Sequence, residues 1–185
     1  MSMVKKDMQR WLPMPKIIRD GAIVDDQWIT LGSEEAAPIP SATEAPFLMV
    51  SLKVWQAKRD ALLARDGQLG LLLETNDEPA PIGADVARFG VIAIHFAKFT
   101  DGRGYSLGRL LRDRYRYSGE LRAVGDVLQD QLFYLKRSGF NAFVIRADKS
   151  IDAALTSLND FSETYQGAWD QPLPLFKRRP VSTVN

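Results

Sequence analysis

The feature that most constrains the fold is an alternation of short β-type runs with helical patterns from about Pro46 onward. Such an alternation favours parallel strands, because each crossover helix returns the chain to the same end of the sheet. The predicted strands are the apolar segments Phe47–Val50, Leu69–Glu74, Gly90–Phe96, Glu120–Gly125 and Phe140–Arg146. We therefore predict an α/β fold with a parallel sheet of about five βα units, arranged as a partial βα barrel or as an open sheet.

The helical patterns between these strands have recognisable ends. Ser51 and Ser150 stand directly before amphipathic stripes, where a hydroxyl can cap the first turn of a helix. Gly139 suits the end of the helix that carries the apolar stripe Leu128–Leu135. A weak helix is predicted over Pro81–Arg88.

The N-terminal part of the chain differs in character from the rest. Lys16–Arg19 and Ala22–Val24 flank Asp20-Gly21, which is a strong signal for a two-residue β-hairpin turn. The stretch Ala36–Ser41 contains two prolines and is typical of a linker. We predict three parts: an arm with a β-hairpin and linker at residues 1–45, an α/β domain at 46–166, and a C-terminal tail at 167–185.

The composition excludes several classes of site. With 24 basic and 23 acidic side chains, the charge is too balanced for a general nucleic-acid or membrane-surface binder. The chain has no cysteine, which rules out disulfides, thiolate metal sites and cysteine-ligated iron–sulfur clusters. No dinucleotide fingerprint is present, and we predict no cofactor, with flavin and nicotinamide left open. No apolar run approaches the ~20 residues that cross a bilayer, so we expect a cytoplasmic protein.

A loop after the third predicted strand is the best candidate for binding a ligand. In a parallel sheet it lies at the carboxyl end of a strand, where such folds place their ligands. Its glycines can expose backbone N–H groups, and a helix beginning near Ser106 adds its positive end. The predicted anion-binding residues are Lys98, Asp101, Gly102, Arg103, Gly104, Tyr105 and Ser106. The alternative is a tight, capped turn with Arg103 exposed.

The next helix carries arginines at intervals of three and four residues. Arg109, Arg112 and Arg116 are predicted to lie on a face distinct from the leucine stripe, with Asp113 able to pair with Arg109 or Arg116. They form a basic ridge that either contacts a ligand or partner, or is a solvated helix face.

Charged residues also occupy the fourth predicted strand and its end. Glu120 and Arg122 alternate on one face, and charges inside a parallel strand are uncommon because both faces are normally covered. We favour a structural ion pair for them, and keep Arg122 beside Asp126, Asp130 and Gln131 as candidates for a site or partner surface.

His95 is the sole histidine and lies near the end of an apolar strand. The sequence pattern reveals no paired acid or nucleophile, so a core or edge imidazole is favoured over a catalytic base. No spaced cluster supports a metal site. The catalytic residues, if the protein is an enzyme, stay unknown.

Three segments resemble a known family. Phe99–Ser106 (FTDGRGYS), Gly119–Leu128 (GELRAVGDVL) and Asp130-Gln131 are similar to the bacterial family called domain of unknown function 934. The resemblance is close from about Phe89 to Phe143, and the early segment Lys16–Leu31, with Trp28, resembles the start of the family. Ala97 departs from it, since the family often has proline there.

The resemblance implies a pathway. Members are commonly encoded beside the sulfite reductase of assimilatory sulfate reduction, and are often labelled oxidoreductases of sulfite reduction. It therefore implies sulfite reductase as a partner and a small oxyanion as a ligand. Because cysteine is absent, we interpret the chain as a non-redox accessory or partner protein, with an oxidoreductase or other enzyme acting on a small anion as the alternative. A third interpretation is a homo-oligomer in which a second copy completes an incomplete barrel.

Overall fold

The structure is a computed structural model and describes residues 16–32, 37–161 and 163–178. Its strands are β1 (Ile17–Arg19), β2 (Ala22–Val24), β3 (Ile29–Thr30), β4 (Phe47–Ser51), β5 (Gln68–Glu74), β6 (Phe89–Phe96), β7 (Glu120–Gly125) and β8 (Ala142–Phe143). Its α-helices are α1 (Leu52–Leu63), α2 (Arg103–Asp113), α3 (Leu132–Arg137), α4 (Ile151–Ser157) and α5 (Leu175–Arg178). The segments Ala80–Arg88 and Gln129–Gln131 are 3₁₀ helices.

The described strands form one mixed sheet in the order β2-β1-β8-β7-β6-β5-β4-β3. Neighbours from β3 to β8 are parallel, whereas β1 pairs antiparallel with both β8 and β2. The α/β class is confirmed, but the sheet is not purely parallel, because the hairpin adds two antiparallel strands. Five regular βα units are not confirmed. The crossover after β5 is a 3₁₀ helix, and the ladder of β8 covers two residues of the predicted Phe140–Arg146.

The link between the two edge strands explains the curvature of the sheet. Laid flat, eight strands would separate β2 from β3 by seven spacings of about 4.8 Å, or about 34 Å. The five residue steps from Val24 to Ile29 span at most about 17 Å. The sheet must therefore curl, and it forms a half barrel.

The two faces of the half barrel have different cores. Side chains along a strand point alternately to the two faces of the sheet. Those on one face pack against the helices, in a core that includes Leu71, Ile92, Ile94, Trp55 and Leu111. Side chains on the other, concave face form a second cluster with Trp28, which includes Met49, Val91, Ala93 and Val124. Trp28 thus covers the concave apolar residues from within the same chain. A second copy that completes the barrel stays a prediction.

A buried ion-pair cluster fixes the linking segment to the concave face. Arg122 Nη1 lies 2.7 Å from Asp26 Oδ2, and the two side chains are 0% and 1% exposed. Arg122 Nη2 lies 2.6 Å from Glu120 Oε1. The structural interpretation of Glu120 and Arg122 is confirmed. Arg122 is therefore not part of an exposed partner surface, because Asp26 of the linking segment covers it.

Several local predictions are confirmed by backbone and capping geometry. Asp20 and Gly21 have φ values of 51° and 77°, as a tight hairpin turn between β1 and β2 requires. The Ser51 hydroxyl accepts from the N–H of Val54, and the Ser150 hydroxyl accepts from the N–H of Ala153.

The predicted division into arm, domain and tail stays a prediction. Residues 1–15, 33–36, 162 and 179–185 lie outside the described residues, so the arm, the linker and the tail are described in part. Among the helices that the structure describes, none has the length and apolar character needed to cross a membrane.

Candidate functional site

The carboxyl edge of the half barrel brings together the loops that follow β5, β6 and β7. The loop after β6 is held on both sides. The N–H of Phe99 donates to Asp126 Oδ2 at 2.9 Å, and Gln131 Nε2 donates to the Phe99 carbonyl at 2.7 Å. Thr75 Oγ1 donates to Asp101 Oδ2 at 2.6 Å. The predicted loop residues and the candidates Asp126 and Gln131 therefore lie at one edge, where parallel sheets place ligands.

His95 forms a pair with an acid at this edge. Glu74 and His95 are partners in the parallel register of β5 and β6, and His95 Nδ1 lies 2.9 Å from Glu74 Oε2. The His95 ring lies against Gly125, which has a φ of 93°, and a Cβ there would come within 2.6 Å of His95 Cδ2. Within the described residues, Nε2 has no hydrogen-bond partner. The edge position is as expected, but Glu74 is a paired acid that the sequence analysis missed.

The positive end of α2 is already occupied by a carboxylate. The helix begins at Arg103, three residues before the predicted start, and the N–H of Arg103 donates to Asp101 Oδ1 at 3.1 Å. The Arg103 guanidinium donates to both oxygens of Asp101, from Nε at 2.9 Å and from Nη2 at 2.7 Å. An incoming anion would meet the Asp101 charge at this point. The prediction of an oxyanion here remains untested.

The contact between Asp101 and Arg103 yields a titration prediction. Hydrogen bonds from Arg103, and then from Thr75, hold the pKa of Asp101 well below its ordinary value. The contact therefore stabilises the fold above the unfolded pKa of Asp, and that contribution is lost as the pH falls through the lowered value. In Arg103→Ala, the pKa of Asp101 should rise toward 3.8, as followed by carboxyl ¹³C NMR. An unchanged titration would contradict the contact, and Arg109→Ala serves as the matched control.

The other predicted loop residues divide into packing and exposed positions. Gly104 is buried, and a Cβ at this position would collide with the Phe96 ring. Tyr105 packs edge-on against Phe96 at 5.7 Å, and burial, followed by the charge of Asp130, raises the pKa of its phenol. Lys98, Gly102 and Ser106 are exposed. Within the described residues, Lys98 has no ion-pair partner.

A second cluster of charges lies beside the loop. Arg146 Nη1 donates to Asp126 Oδ1 at 2.9 Å, and Arg146 Nε lies 2.9 Å from Asp148 Oδ1. A hydrogen bond from the Phe99 N–H, and then one from Arg146, lowers the pKa of Asp126. Asp130 is exposed nearby and, with Arg146 and Lys149, lines an open depression.

A comparison with known families matches residues 70–176 to the family described as bacterial protein of unknown function (DUF934). The chain belongs to this family. The DUF934 match runs from within β5 into α5 and so includes the loops that follow β5, β6 and β7. No curated protein and no solved structure matches the chain.

The basic ridge predicted on α2 is wrong as a single surface of this DUF934 protein. Arg109 is partly exposed and pairs with Asp113 at 2.6 Å, as predicted. Arg112 is 3% exposed, and its guanidinium donates to backbone carbonyls. Arg116 lies beyond the end of α2, with a φ of 54°. The cause is the turn after α2, which brings polar carbonyl groups over the position of Arg112.

In the part of the chain that the structure describes, no three His, Asp or Glu side chains come together as ligands for a metal ion. Glu74 and Arg146 are candidate site residues that the sequence analysis missed. Each stands at the carboxyl end of a predicted strand, and that position was the available signal.

Proposed function

We propose that this protein is an accessory protein of assimilatory sulfite or sulfate reduction that binds a small oxyanion at the carboxyl edge of the half barrel. The family resemblance supplies the pathway and the partner, sulfite reductase. The proposed binding rests on one observation about the edge. Within the described residues, Lys98 has no ion-pair partner and the Nε2 atom of His95 has no hydrogen-bond partner. The neighbouring cations Arg103, Arg146 and Lys149 are each matched by a carboxylate.

The proposed ligand follows from this charge pattern. A small oxyanion offers several acceptor oxygens to the ammonium group of Lys98 and, when the His95 ring carries both protons, to its Nε2–H. Hydrogen bonds to ionised groups are the stronger ones. The guanidinium of Arg103 contributes a further donor, because its contacts with Asp101 use Nε and Nη2. Since this surface is open to water, binding in the millimolar range is expected.

Genetics and copurification test the accessory role. Deletion of the gene should slow growth on sulfite or sulfate as the sulfur source, and the protein should copurify with sulfite reductase from native cells. Lys98→Ala should restore growth poorly, whereas Lys53→Ala, an exposed lysine on α1, should restore it fully. Unchanged growth and reductase activity after deletion would contradict the role.

The His95–Glu74 contact favours a second candidate, an enzyme of sulfite reduction acting on a small anion. When Glu74 accepts the Nδ1 proton of His95, the Nε2 lone pair faces outward and can take a proton from a ligand. Here His95 would be the catalytic base and Glu74 a positioning residue.

This candidate predicts a specific pair of losses. His95→Gln and Glu74→Gln should both abolish complementation of the deletion strain, while calorimetry still detects anion binding to Glu74→Gln. Full complementation by Glu74→Gln would remove the proton-transfer role. An absorption spectrum of the freshly purified protein tests the oxidoreductase version, and a featureless visible region would count against flavin and heme.

A further inference from the structure

A cavity of about 620 Å³ lies at the opposite, amino edge of the sheet from the candidate site. It is bounded by the hairpin turn at Asp20-Gly21, by the C-terminal part of α3, by the end of α4 and by the segment Trp169–Asp170. The volume falls within the roughly 300–1,000 Å³ that small-molecule sites occupy.

The apolar surface of this cavity is aromatic and anchored. Its lining includes the residues Phe140, Phe143, Leu158 and Trp169, of which Trp169 is the most exposed, at 37%. The N–H of Trp169 donates to the Arg137 carbonyl at 3.1 Å, and Arg137 Nη1 lies 3.4 Å from Asp170 Oδ1. These contacts tie the indole wall to the end of α3. The cavity therefore presents one anchored aromatic ring, that of Trp169.

A buried cation lies beside these rings. Arg112 is 3% exposed and donates to the carbonyls of Gly139 and Tyr117, at 2.9 and 2.7 Å, and to the side-chain oxygen of Asn141 at 3.2 Å. All these acceptors are neutral, and no carboxylate within the described residues forms an ion pair with it. Its guanidinium carbon lies 5.6 Å from the centre of the Trp169 ring. The positive charge of Arg112 is stabilised by these neutral carbonyl and amide oxygens and is not neutralised by a carboxylate.

The remaining charges of the lining leave a cationic excess. Lys136 is exposed at the cavity and has no ion-pair partner among the described side chains. Asp170 is matched by Arg137. Asp20 accepts a hydrogen bond from the neutral Asn141 Nδ2 at 2.9 Å and forms no ion pair with a described side chain. Arg112 and Lys136 therefore face a single unmatched carboxylate.

We propose that this cavity binds a planar aromatic anion. The ring of the ligand packs against Trp169, which is 37% exposed, since aromatic pairs add to the energy of apolar burial. Its negative group contacts the exposed ammonium group of Lys136, and the buried charge of Arg112 adds attraction without direct contact. The proposal is independent of the carboxyl edge, because the two sites share no residue.

A pair of matched probes tests the proposal. 1-Anilinonaphthalene-8-sulfonate is an aromatic anion with a planar naphthalene ring, and N-phenyl-1-naphthylamine is its neutral counterpart without the sulfonate. The anionic probe should bind saturably and more tightly than the neutral one, as measured by fluorescence titration. Lys136→Ala should weaken the anionic probe about three- to tenfold and leave the neutral probe within about twofold. Trp169→Ala should weaken both probes about tenfold.

Control variants locate the binding. Lys149→Ala removes an exposed lysine at the carboxyl edge and should leave both titrations unchanged. In ¹H–¹⁵N spectra, the indole signal that Trp169→Phe removes should shift most when the anionic probe is added. Absence of saturable binding, or equal affinity in the unmodified protein, Lys136→Ala and Trp169→Ala, would overturn the proposal. Equal losses of both probes in Lys136→Ala would contradict the anionic character of the ligand.

Discussion

Replacement of Arg122 with methionine should lower the free energy of unfolding by about 3–5 kcal/mol. The side chain is fully buried between Asp26 and Glu120, so its removal leaves the Asp26 carboxylate in the core without its partner. It also releases the segment that carries Trp28 across the concave face. Urea denaturation of the purified variant measures the loss.

Two further variants separate the buried pair from charge in general. Arg19→Ala removes a partly exposed arginine that lies 3.5 Å from Glu120, and it should cost about 1 kcal/mol or less. The double variant Asp26→Asn with Arg122→Met should recover part of the loss, because no unpaired charge is then buried. A cost below about 1 kcal/mol for Arg122→Met would contradict the buried cluster.

Replacement of Arg112 with alanine should lower the free energy of unfolding by about 3 kcal/mol. Its guanidinium donates to the carbonyls of Gly139, Tyr117 and Gly119. Through these hydrogen bonds Arg112 connects α2 to the turns before β7 and β8. The variant leaves the three carbonyls without this donor in a partly buried region. Thermal and urea denaturation should agree on the loss.

The matched control for this variant lies one turn earlier on the same helix. Arg109 is 44% exposed and pairs with Asp113, so Arg109→Ala should change stability by about 0.5 kcal/mol or less. Equal effects of the two substitutions would show that Arg112 belongs to a solvated basic face, as its spacing along the sequence suggested.

The sequence was most informative where local chemistry decides the structure. The strand Glu120–Gly125 and the caps at Ser51 and Ser150 follow from short-range patterns, and the structure has them as predicted. The hairpin at Asp20-Gly21 has the same origin, because its turn requires positive φ values.

The predictions that failed depend on contacts between distant residues. The spacing of Arg112 matches a solvated face, and nothing local shows that Gly139 and Tyr117 bring their carbonyls over it. The sequence left a partial barrel and an open sheet as alternatives, and the structure has a half barrel. Its curl follows from the short link between β2 and β3, and the sequence does not show that these strands lie at opposite edges.

The acid beside His95 was within reach of the sequence but was not found. Glu74 ends one predicted strand and His95 lies one residue before the end of the next, and the predicted sheet is parallel there. Neighbouring parallel strands bring their carboxyl ends to one edge, so the two side chains were candidates for contact. Whether they share a face depends on the register, which one sequence leaves open.

The most direct test of oxyanion binding at the carboxyl edge uses the fact that His95 is the sole histidine. In untagged protein, the Cε1–H group of its imidazole gives a single ¹H–¹³C signal that reports on the edge. Titration with sulfite, sulfate or phosphate should shift this signal saturably in the millimolar range, and Lys98→Ala should weaken binding about three- to tenfold. Chloride at equal ionic strength is the control. If none of the three oxyanions shifts the signal more than chloride does, the carboxyl edge is not an oxyanion site.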